Sequence, residues 1–468
     1  MKPTSLPALA TRREFLWQAG GGLTGLALAD LLVQDGLAAE GAPRPELNGG
    51  IHHPARVRRV IQLFMNGGVS HVDSFDYRPE LQKRNGEKGG GGTLLASPFT
   101  FERFGKAGRL VSTLFAHQAK HVDDLTFLSG MYTGNSTHGI SSYMMNTGFG
   151  LPGFPCLGAW VSYGLGQISQ NLPAFVVLPD KVGMPYNGVG NFTSGFLSAL
   201  HAGTVVKAGG RTPIPDLFAH ERHKFVTPDA DREGMSLLGK LNADHHRQHP
   251  EDARLDARIA AYEMAARMQS SAPEAFDLSQ ETEATHQAYG LNGKLSDDFG
   301  RRCLLARRLA ERGVRFIQVW SGQDGMSGNW DNHGDIAKNF KTQAEKVDQP
   351  TGALIQDLKQ RGLLADTLLM FCTEFGRTAT SQGSTGRDHN GHAFTVWLAG
   401  AGLKPGFSYG ETDEFGAKAV VNTTNHHDFH ATVLHLLGID HTRLTFRHNG
   451  IDRRLTDVHG RVIKEILA

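Results

Sequence analysis

Residues 296–320 read SDDFGRRCLLARRLAERGVRFIQVW, and this stretch decides the fold. A serine and two acids open it, putting negative charge where helix N–H groups lack partners. Phe299, Cys303, Ala306 and Leu309 recur at three- and four-residue spacing and form one apolar face. Gly313 supplies the stop signal. VRFIQVW follows at once, a β-branched and aromatic run that predicts a buried strand over Val314–Trp320. A helix that passes into a strand through one glycine is the repeating unit of an alternating α/β chain.

The alternation extends in both directions. VRRVIQLFM (Val57–Met65), DLTFLSG (Asp124–Gly130), AFVVLP (Ala174–Pro179), TLLMFC (Thr367–Cys372) and AFTVWLAG (Ala393–Gly400) predict further strands. Helices are expected from about His138 through Met145, up to a stop at Gly362, and over HHDFHATVLHLLG with Phe429, Val433, Leu436 and Leu437 on its apolar face. Such a series predicts a largely parallel, doubly wound sheet. Between about Pro185 and Gly290 the texture changes, first Gly-rich and then charged and helical, which marks an inserted helical subdomain or cap. His245 and His249, four apart in that segment, fit a solvated helix face.

Composition narrows the function classes. The chain has 468 residues, of which 40% are hydrophobic, enough for a large core. With 48 basic against 47 acidic side chains, no global field marks a nucleic-acid partner. Twenty-three histidines justify a search for metal ligands. Cys156, Cys303 and Cys372 are too few and too far apart for a disulfide framework, and the last two fall in apolar runs as buried thiols. At the N-terminus, TRREFL (Thr11–Leu16) precedes a modest apolar stretch and the small-residue run DGLAAEGAP. That order describes a twin-arginine export signal with its linker over residues 1–45, cleavable near Ala38–Ala39. Its apolar part is short and broken by Asp30, so no stable membrane span is expected. The expected location is periplasmic or otherwise extracytoplasmic.

In open α/β sheets, sites gather just beyond the carboxyl ends of the strands. After Met65 come Asn66, His71 and Asp73; after Leu128 come Ser136, Thr137 and His138. After Trp320 come Asp324, Asp331, His333 and Asp335; after Cys372 come Glu374 and Arg377. GRDHNGHAF (Gly386–Phe394) then adds Arg387, Asp388, His389 and His392 before the next apolar run. Imidazoles and carboxylates are ligands for zinc, manganese or a related divalent ion rather than for an iron–sulfur centre. Each segment alone has a plainer explanation. WDNHGD is also a turn whose Asp and Asn side chains bond their own backbone, and TEFGRT is also a buried Glu–Arg pair. Their shared placement favours the metal.

MNGGVSHVDSFD, NSTHGISSYMMNTG, GVRFIQVW with WDNHGD, TEFGRT with GRDHNGHAF, and HHDFHATVLHLLGIDH occur in that order. With the export signal, this set closely resembles a bacterial family of exported proteins that carries a domain-of-unknown-function label. That family is placed in the alkaline phosphatase superfamily and is loosely called sulfatase-like. The resemblance runs from about Arg56 to the C-terminus. It implies an α/β/α sandwich with a mainly parallel central sheet over residues 56–468, residues 185–290 being the insertion, and divalent metal above the carboxyl edge. By motif position, Asn66 stands where the first Asp is usual, and the nucleophile region falls on Ser136, Thr137 and His138. Asp331 and His333 match an Asp and His pair, Glu374 and Phe375 a later Asp-His pair, and His392 the final His, with His389 the other candidate. Phe375 cannot bind metal, Asn66 is a weaker ligand than Asp, and no Cys/Ser-x-Pro-x-Arg motif provides a formylglycine. One metal position is therefore expected through Asp331, His333 and His392, and a second only if His71, Asp73 or Glu374 substitutes.

The resemblance implies an exported metal-dependent hydrolase of phosphate or sulfate esters, using zinc, or else manganese or calcium. Its substrate would be an anionic small-molecule or polysaccharide ester. Thr137 or Ser136 is the expected nucleophile, His138 a general acid or ligand, and Arg377 or Arg387 the anion clamp. Asp388 and His389 are ligands or orienters. The alternative is a non-catalytic exported binding protein that keeps the fold. A zinc site on His426 and His430 is a third reading, but it lacks the Glu of the H-E-x-x-H pattern.

Overall fold

The computed structural model describes residues 51–468, except 90, 209–213, 215–226, 249–252 and 326. The export signal expected at the N-terminus, and His249, lie outside the described residues. The strands that matter are β1 (Arg59–Met65), β2 (Leu125–Tyr132), β3 (Phe175–Leu178), β4 (Thr204–Val205), β5 (Phe316–Ser321) and β6 (Thr367–Thr373). They are followed by β7 (Gly376–Gln382), β8 (Gly386–Asn390), β9 (Phe394–Ala399), β10 (Ser408–Tyr409) and β11 (Thr424–Asn425). Nine of them form one sheet in the order β10-β2-β9-β6-β1-β5-β3-β4, with β11 also beside β2. β7 and β8 form a separate hairpin.

β1 lies at the centre, parallel to β5 on one side and β6 on the other. All seven of its residues are buried, because both faces of a parallel sheet are covered. Its side chains alternate between two cores. Ile61, Leu63 and Met65 join the apolar faces of α5 (Asp297–Glu311) and α6 (Ile336–Gln360). Val60 and Phe64 join α2 (Leu157–Leu165) and α7 (His426–Leu436) on the other side. The result is an α/β/α sandwich. Among the described residues, no helix is long and apolar enough to cross a membrane.

Two local details differ from expectation. Ser296 precedes α5 but does not cap it; its hydroxyl donates to the Gly290 carbonyl at 2.7 Å. The first turn relies on the acids Asp297 and Asp298 instead. The second difference matters more. β9 runs antiparallel to both β6 and β2, while the other sheet pairings are parallel. Its first residues therefore stand at the edge where the parallel strands end.

The insertion places α3 (Pro228–Gln248) and α4 (Ala253–Phe276) between β4 and β5. α1 (His138–Thr147) follows β2 and is fastened to the sheet by buried amides. Gln318 of β5 lies opposite Gln62 of β1 and donates to its Oε1 and to Asn146 Oδ1 of α1, both at 3.0 Å. A Gln318→Leu substitution leaves two buried acceptors without a donor. It is expected to lower the unfolding free energy by about 1–3 kcal/mol, read as a lower urea midpoint.

Candidate metal centre

β1, β2, β5 and β6 end at one edge of the sheet, and the polar loops predicted from sequence meet there. The hairpin β7–β8 stands over that edge and closes the site. Its seating depends on two glycines. A Cβ on Gly386 would lie 1.8 Å from the His333 carbonyl oxygen, and one on Gly391 would lie 2.1 Å from that of Asn135. The motif GRDHNGHAF is thus wedged, by backbone contact at its two glycines, between the loop after β5 and the loop before α1. His389 lies between those wedges.

Four side chains converge there: His138, Asp331, His333 and His389, whose ligand atoms all lie within 4.8 Å of one another. Asp331 Oδ1 is the focus. His333 Nε2 lies 2.9 Å from it, His389 Nε2 3.0 Å and His138 Nε2 3.2 Å. The His138 contact lacks hydrogen-bond alignment, which leaves that nitrogen buried without a partner. His333 Nε2 and His389 Nε2 are 2.8 Å apart.

The other ring nitrogens define the chemistry. His138 Nδ1 is 2.8 Å from Glu374 Oε1, and His389 Nδ1 is 2.8 Å from the Ser136 carbonyl. His333 Nδ1 meets Gln382 Oε1. Carboxylate and carbonyl oxygens only accept, so Nδ1 of His138 and His389 must donate. A neutral imidazole has one donor, so its Nε2 is then a bare lone pair facing Asp331. Lone pairs aimed at a carboxylate oxygen repel unless a cation stands among them. Without metal, a proton serves for His138: burial opposes its charge, but the nearby carboxylates of Asp331 and Glu374 prevail and push its pKa up to about 9. Burial likewise opposes charge on Asp331, yet His138, His389 and Arg377 hold its carboxyl well below the usual range.

The outer shell is also ordered. Glu374, fully buried, accepts from the Gly67 N–H at 2.7 Å as well as from His138. Tyr186 stacks on the His138 ring at 4.2 Å between centroids, 8° from parallel. Phe375 is buried, with its ring centroid 4.8 Å from those of both His138 and His389. These are the partners that fix the tautomer and plane of a ligating histidine.

Several residues expected at the site lie elsewhere or play other parts. The His392 side chain is exposed and outside the cluster; its N–H donates to Asn390 Oδ1 and its carbonyl accepts from Ala419. Asp73 is buried in a two-oxygen pair with Arg387, at 2.6 and 3.1 Å. His71 is buried against the Gly416 carbonyl at 2.7 Å. Asn66 spends its side chain on the Gln323 carbonyl and the Tyr186 N–H. Asp388 is 58% exposed, 3.9 Å from His333 Nδ1 on the outer side. Asp335 caps α6 by accepting from the Lys338 N–H at 3.2 Å. Ser136 and Thr137 are exposed beside His138; the Ser136 hydroxyl accepts from the Gly391 N–H at 2.9 Å, and Thr137 makes no side-chain cap bond to α1.

Neither arginine reaches solvent. Arg377 is fully buried and donates to the carbonyls of Gly68, Arg387, Gly67 and Trp330 and to Asp331 Oδ1, the last at 2.6 Å. Arg387 bonds the carbonyls of Thr378, Ala379 and Leu95 besides Asp73. Both positions hold loops together, and both guanidiniums are buried away from an incoming anion. The third reading also loses support: the His426 and His430 ring centroids are 6.4 Å apart and roughly perpendicular, and His430 Nε2 is taken by the Met145 carbonyl. Burial pushes the pKa of His426 down to about 2 and that of His430 to about 3. Sequence reasoning missed Tyr186 and Gln382, which nothing in the local pattern distinguishes from ordinary loop and strand residues.

These features define a class: an α/β/α sandwich with a three-histidine, one-carboxylate cluster above the sheet's carboxyl edge. Residues 57–467 match the family described as Protein of unknown function (DUF1501), and the chain belongs to that family. Among curated proteins, none matches the chain. Solved structures with a similar course include the PsFucS1 sulfatase from Pseudoalteromonas sp., at 12% identity over 89% of this chain and 72% of that one, TM-score 0.37. The alkaline phosphatase from the Antarctic bacterium TAB5 is 10% identical over 82% of this chain and 99% of that one, TM-score 0.37. The lipoteichoic acid synthase LtaP from Listeria monocytogenes is 9% identical over 84% and 77%, TM-score 0.38. Likeness at this level carries no functional argument, and the fold class rests on this chain's own strand order.

The wedge contacts can be checked directly. Gly391→Ala is expected to cost about 1–3 kcal/mol in urea denaturation, since the new methyl must displace the Asn135 backbone or the hairpin. Asp388→Ala, on the exposed outer side of the same hairpin, should leave the midpoint within about 0.5 kcal/mol of the parent.

Proposed function

We propose that this chain is an exported, metal-dependent hydrolase of phosphate or sulfate esters with one retained metal position. One observation carries the reading: Nδ1 of His138 and of His389 faces an acceptor oxygen, so both Nε2 lone pairs converge with His333 on Asp331 Oδ1. His138, His333 and His389 would hold the ion through Nε2, and Asp331 through Oδ1. Such a nitrogen-rich donor set suits zinc first and manganese second; calcium, which prefers six to eight oxygens, fits poorly. When bound, the ion supplies Lewis acidity and lowers the pKa of a water toward about 7.

The chain's own residues do the rest. Glu374 and the Ser136 carbonyl keep His138 and His389 in the ligating tautomer. The N-terminal N–H groups of α1, next to His138, favour an anionic group at the opening. They would meet the ester's charge in place of Arg377 and Arg387, which are buried. The Thr137 hydroxyl, exposed and free of a capping bond, is the better-placed nucleophile, while Ser136 supports the hairpin. Export rests on Arg12-Arg13 and the following apolar stretch. A non-catalytic binding protein is the second reading, favoured by Phe375, which fills a position where a second metal's ligand is usual in the superfamily.

Elemental analysis of the purified protein is expected to find about one divalent ion per chain, and a chelator should lower Tm. Asp331→Asn and His389→Ala should each reduce occupancy by at least about tenfold without unfolding, whereas His392→Ala should retain it. Full occupancy in both site variants, or no metal and no chelator effect, overturns the ligand assignment. On a panel of phosphate and sulfate esters, Thr137→Ala should lower kcat by about 10²-fold or more at unchanged occupancy. Unchanged kcat removes Thr137 as nucleophile. A metal-loaded protein that turns over no ester and still binds an anionic saccharide supports the second reading.

A further inference from the structure

The buried charges of the cluster come close to cancelling. Asp331 and Glu374 contribute two carboxylates, joined through His138, whose Nδ1 lies 2.8 Å from Glu374 Oε1 and whose Nε2 lies 3.2 Å from Asp331 Oδ1. Arg377 stands 2.6 Å from the same Asp331 oxygen and contributes one guanidinium. Asp73 and Arg387, both fully buried, pair with each other and add nothing to the balance. The imidazoles are neutral when their Nε2 atoms hold an ion. A divalent ion is then matched by the two carboxylates, and the guanidinium leaves one net positive charge.

The segments that build the mouth supply no further arginine or lysine. Residues 66–76, 133–137, 322–335 and 374–393 contain Arg377 and Arg387 and no lysine. Both arginines are fully buried. Lys181, on the loop after β3, is exposed and stands close enough to Asp297 at the start of α5 to favour its charge. The mouth segments do carry exposed acids at Asp324, Asp335 and Asp388, the last 3.9 Å from His333 Nδ1. The N-terminus of α1 adds only a partial positive charge, about half a unit, which these acids offset. Two rings bound the cluster: Tyr186, 4.2 Å from the His138 ring, and Phe375, 4.8 Å from those of His138 and His389. Beside such walls an unmatched charge is poorly solvated and costly.

We infer that the site is matched to a monoanionic ester group, a sulfate monoester or a phosphate diester, and selects against the dianion of a phosphate monoester. This rests on the metal-dependent hydrolase reading and narrows it. One negative charge neutralises the loaded site, and a second has no full positive charge to meet it. Repulsion of the wrong charge is a route to specificity alongside attraction of the right one.

Three non-hydrolysable anions of similar size test this on the full chain loaded with zinc, its occupancy first measured by elemental analysis. They are benzenesulfonate, the monomethyl ester of phenylphosphonate, and phenylphosphonate itself. At about pH 8.5, above the second ionisation of phosphate-type groups, the first two carry one charge and the third carries two. Calorimetry is expected to give Kd values for both monoanions at least about tenfold below that of phenylphosphonate. The tighter of the two monoanions tells sulfate from phosphodiester chemistry. Asp388→Lys reverses a charge at an exposed position and should improve phenylphosphonate binding roughly fivefold more than benzenesulfonate binding. Phenylphosphonate that binds the loaded chain as tightly as its methyl ester overturns the inference and leaves the hydrolase reading standing. So does a loaded chain that binds none of the three, or an Asp388→Lys variant that shifts all three alike. A chain that takes up no metal overturns both.

Discussion

The site is organised around one oxygen. Asp331 Oδ1 receives three imidazole nitrogens and the Arg377 guanidinium, all within 3.2 Å. Each of those groups comes from a different segment: α1, the loop after β5, β7 and β8. No local interaction brings them together, so the sheet must. The parallel strands deliver the α1 and Asp331 loops to a common edge, and antiparallel β9 makes the hairpin return there. Gly386 and Gly391 then fix the depth at which the hairpin seats. Disturbing the focus would leave several buried polar groups unpaired at once, a larger cost than losing any single hydrogen bond.

Much of this was legible from sequence because buried parallel strands are written as continuous apolar runs. VRRVIQLFM, VRFIQVW and TLLMFC are such runs, and β1, β5 and β6 lie within a residue or two of the predicted limits. The short strands β4, β10 and β11, two residues each, carry no pattern of their own. The direction of β9 was invisible for a related reason: an apolar run has no polarity, and direction is set by the connection. The β7–β8 hairpin reads as loop because its residues are polar and its turn lies in SQGSTGR.

That missed hairpin explains the exchange of His389 for His392. Position relative to the next apolar run favours His392, which stands nearest to it. In the structure His389 belongs to β8, directly opposite Arg377 of β7, and the pairing carries it over the site. His392 lies in the turn that follows β8, and its side chain is left in solvent. Strand pairing decided which histidine stands in the cluster, and pairing between distant segments is not encoded at one position. The buried arginines were misjudged on similar grounds. TEFGRT and GRDHN show a cation beside a polar loop, but only the packed hairpin shows that each guanidinium is surrounded by carbonyls.

The charge balance at the cluster depends on its buried carboxylates and the cations beside them. Asp331 and Glu374 are both buried or nearly so, and two carboxylates in such a place require nearby positive charge. Arg377 supplies part of it: burial lowers its pKa from the ordinary guanidinium value, and Asp331 and Glu374 oppose that shift. It stands 2.6 Å from Asp331 Oδ1. A fixed guanidinium there compensates part of the carboxylate charge, and Phe375 sets an apolar ring beside it. The two features belong together, since an aromatic ring is tolerated beside two carboxylates only where their charge is met from another direction.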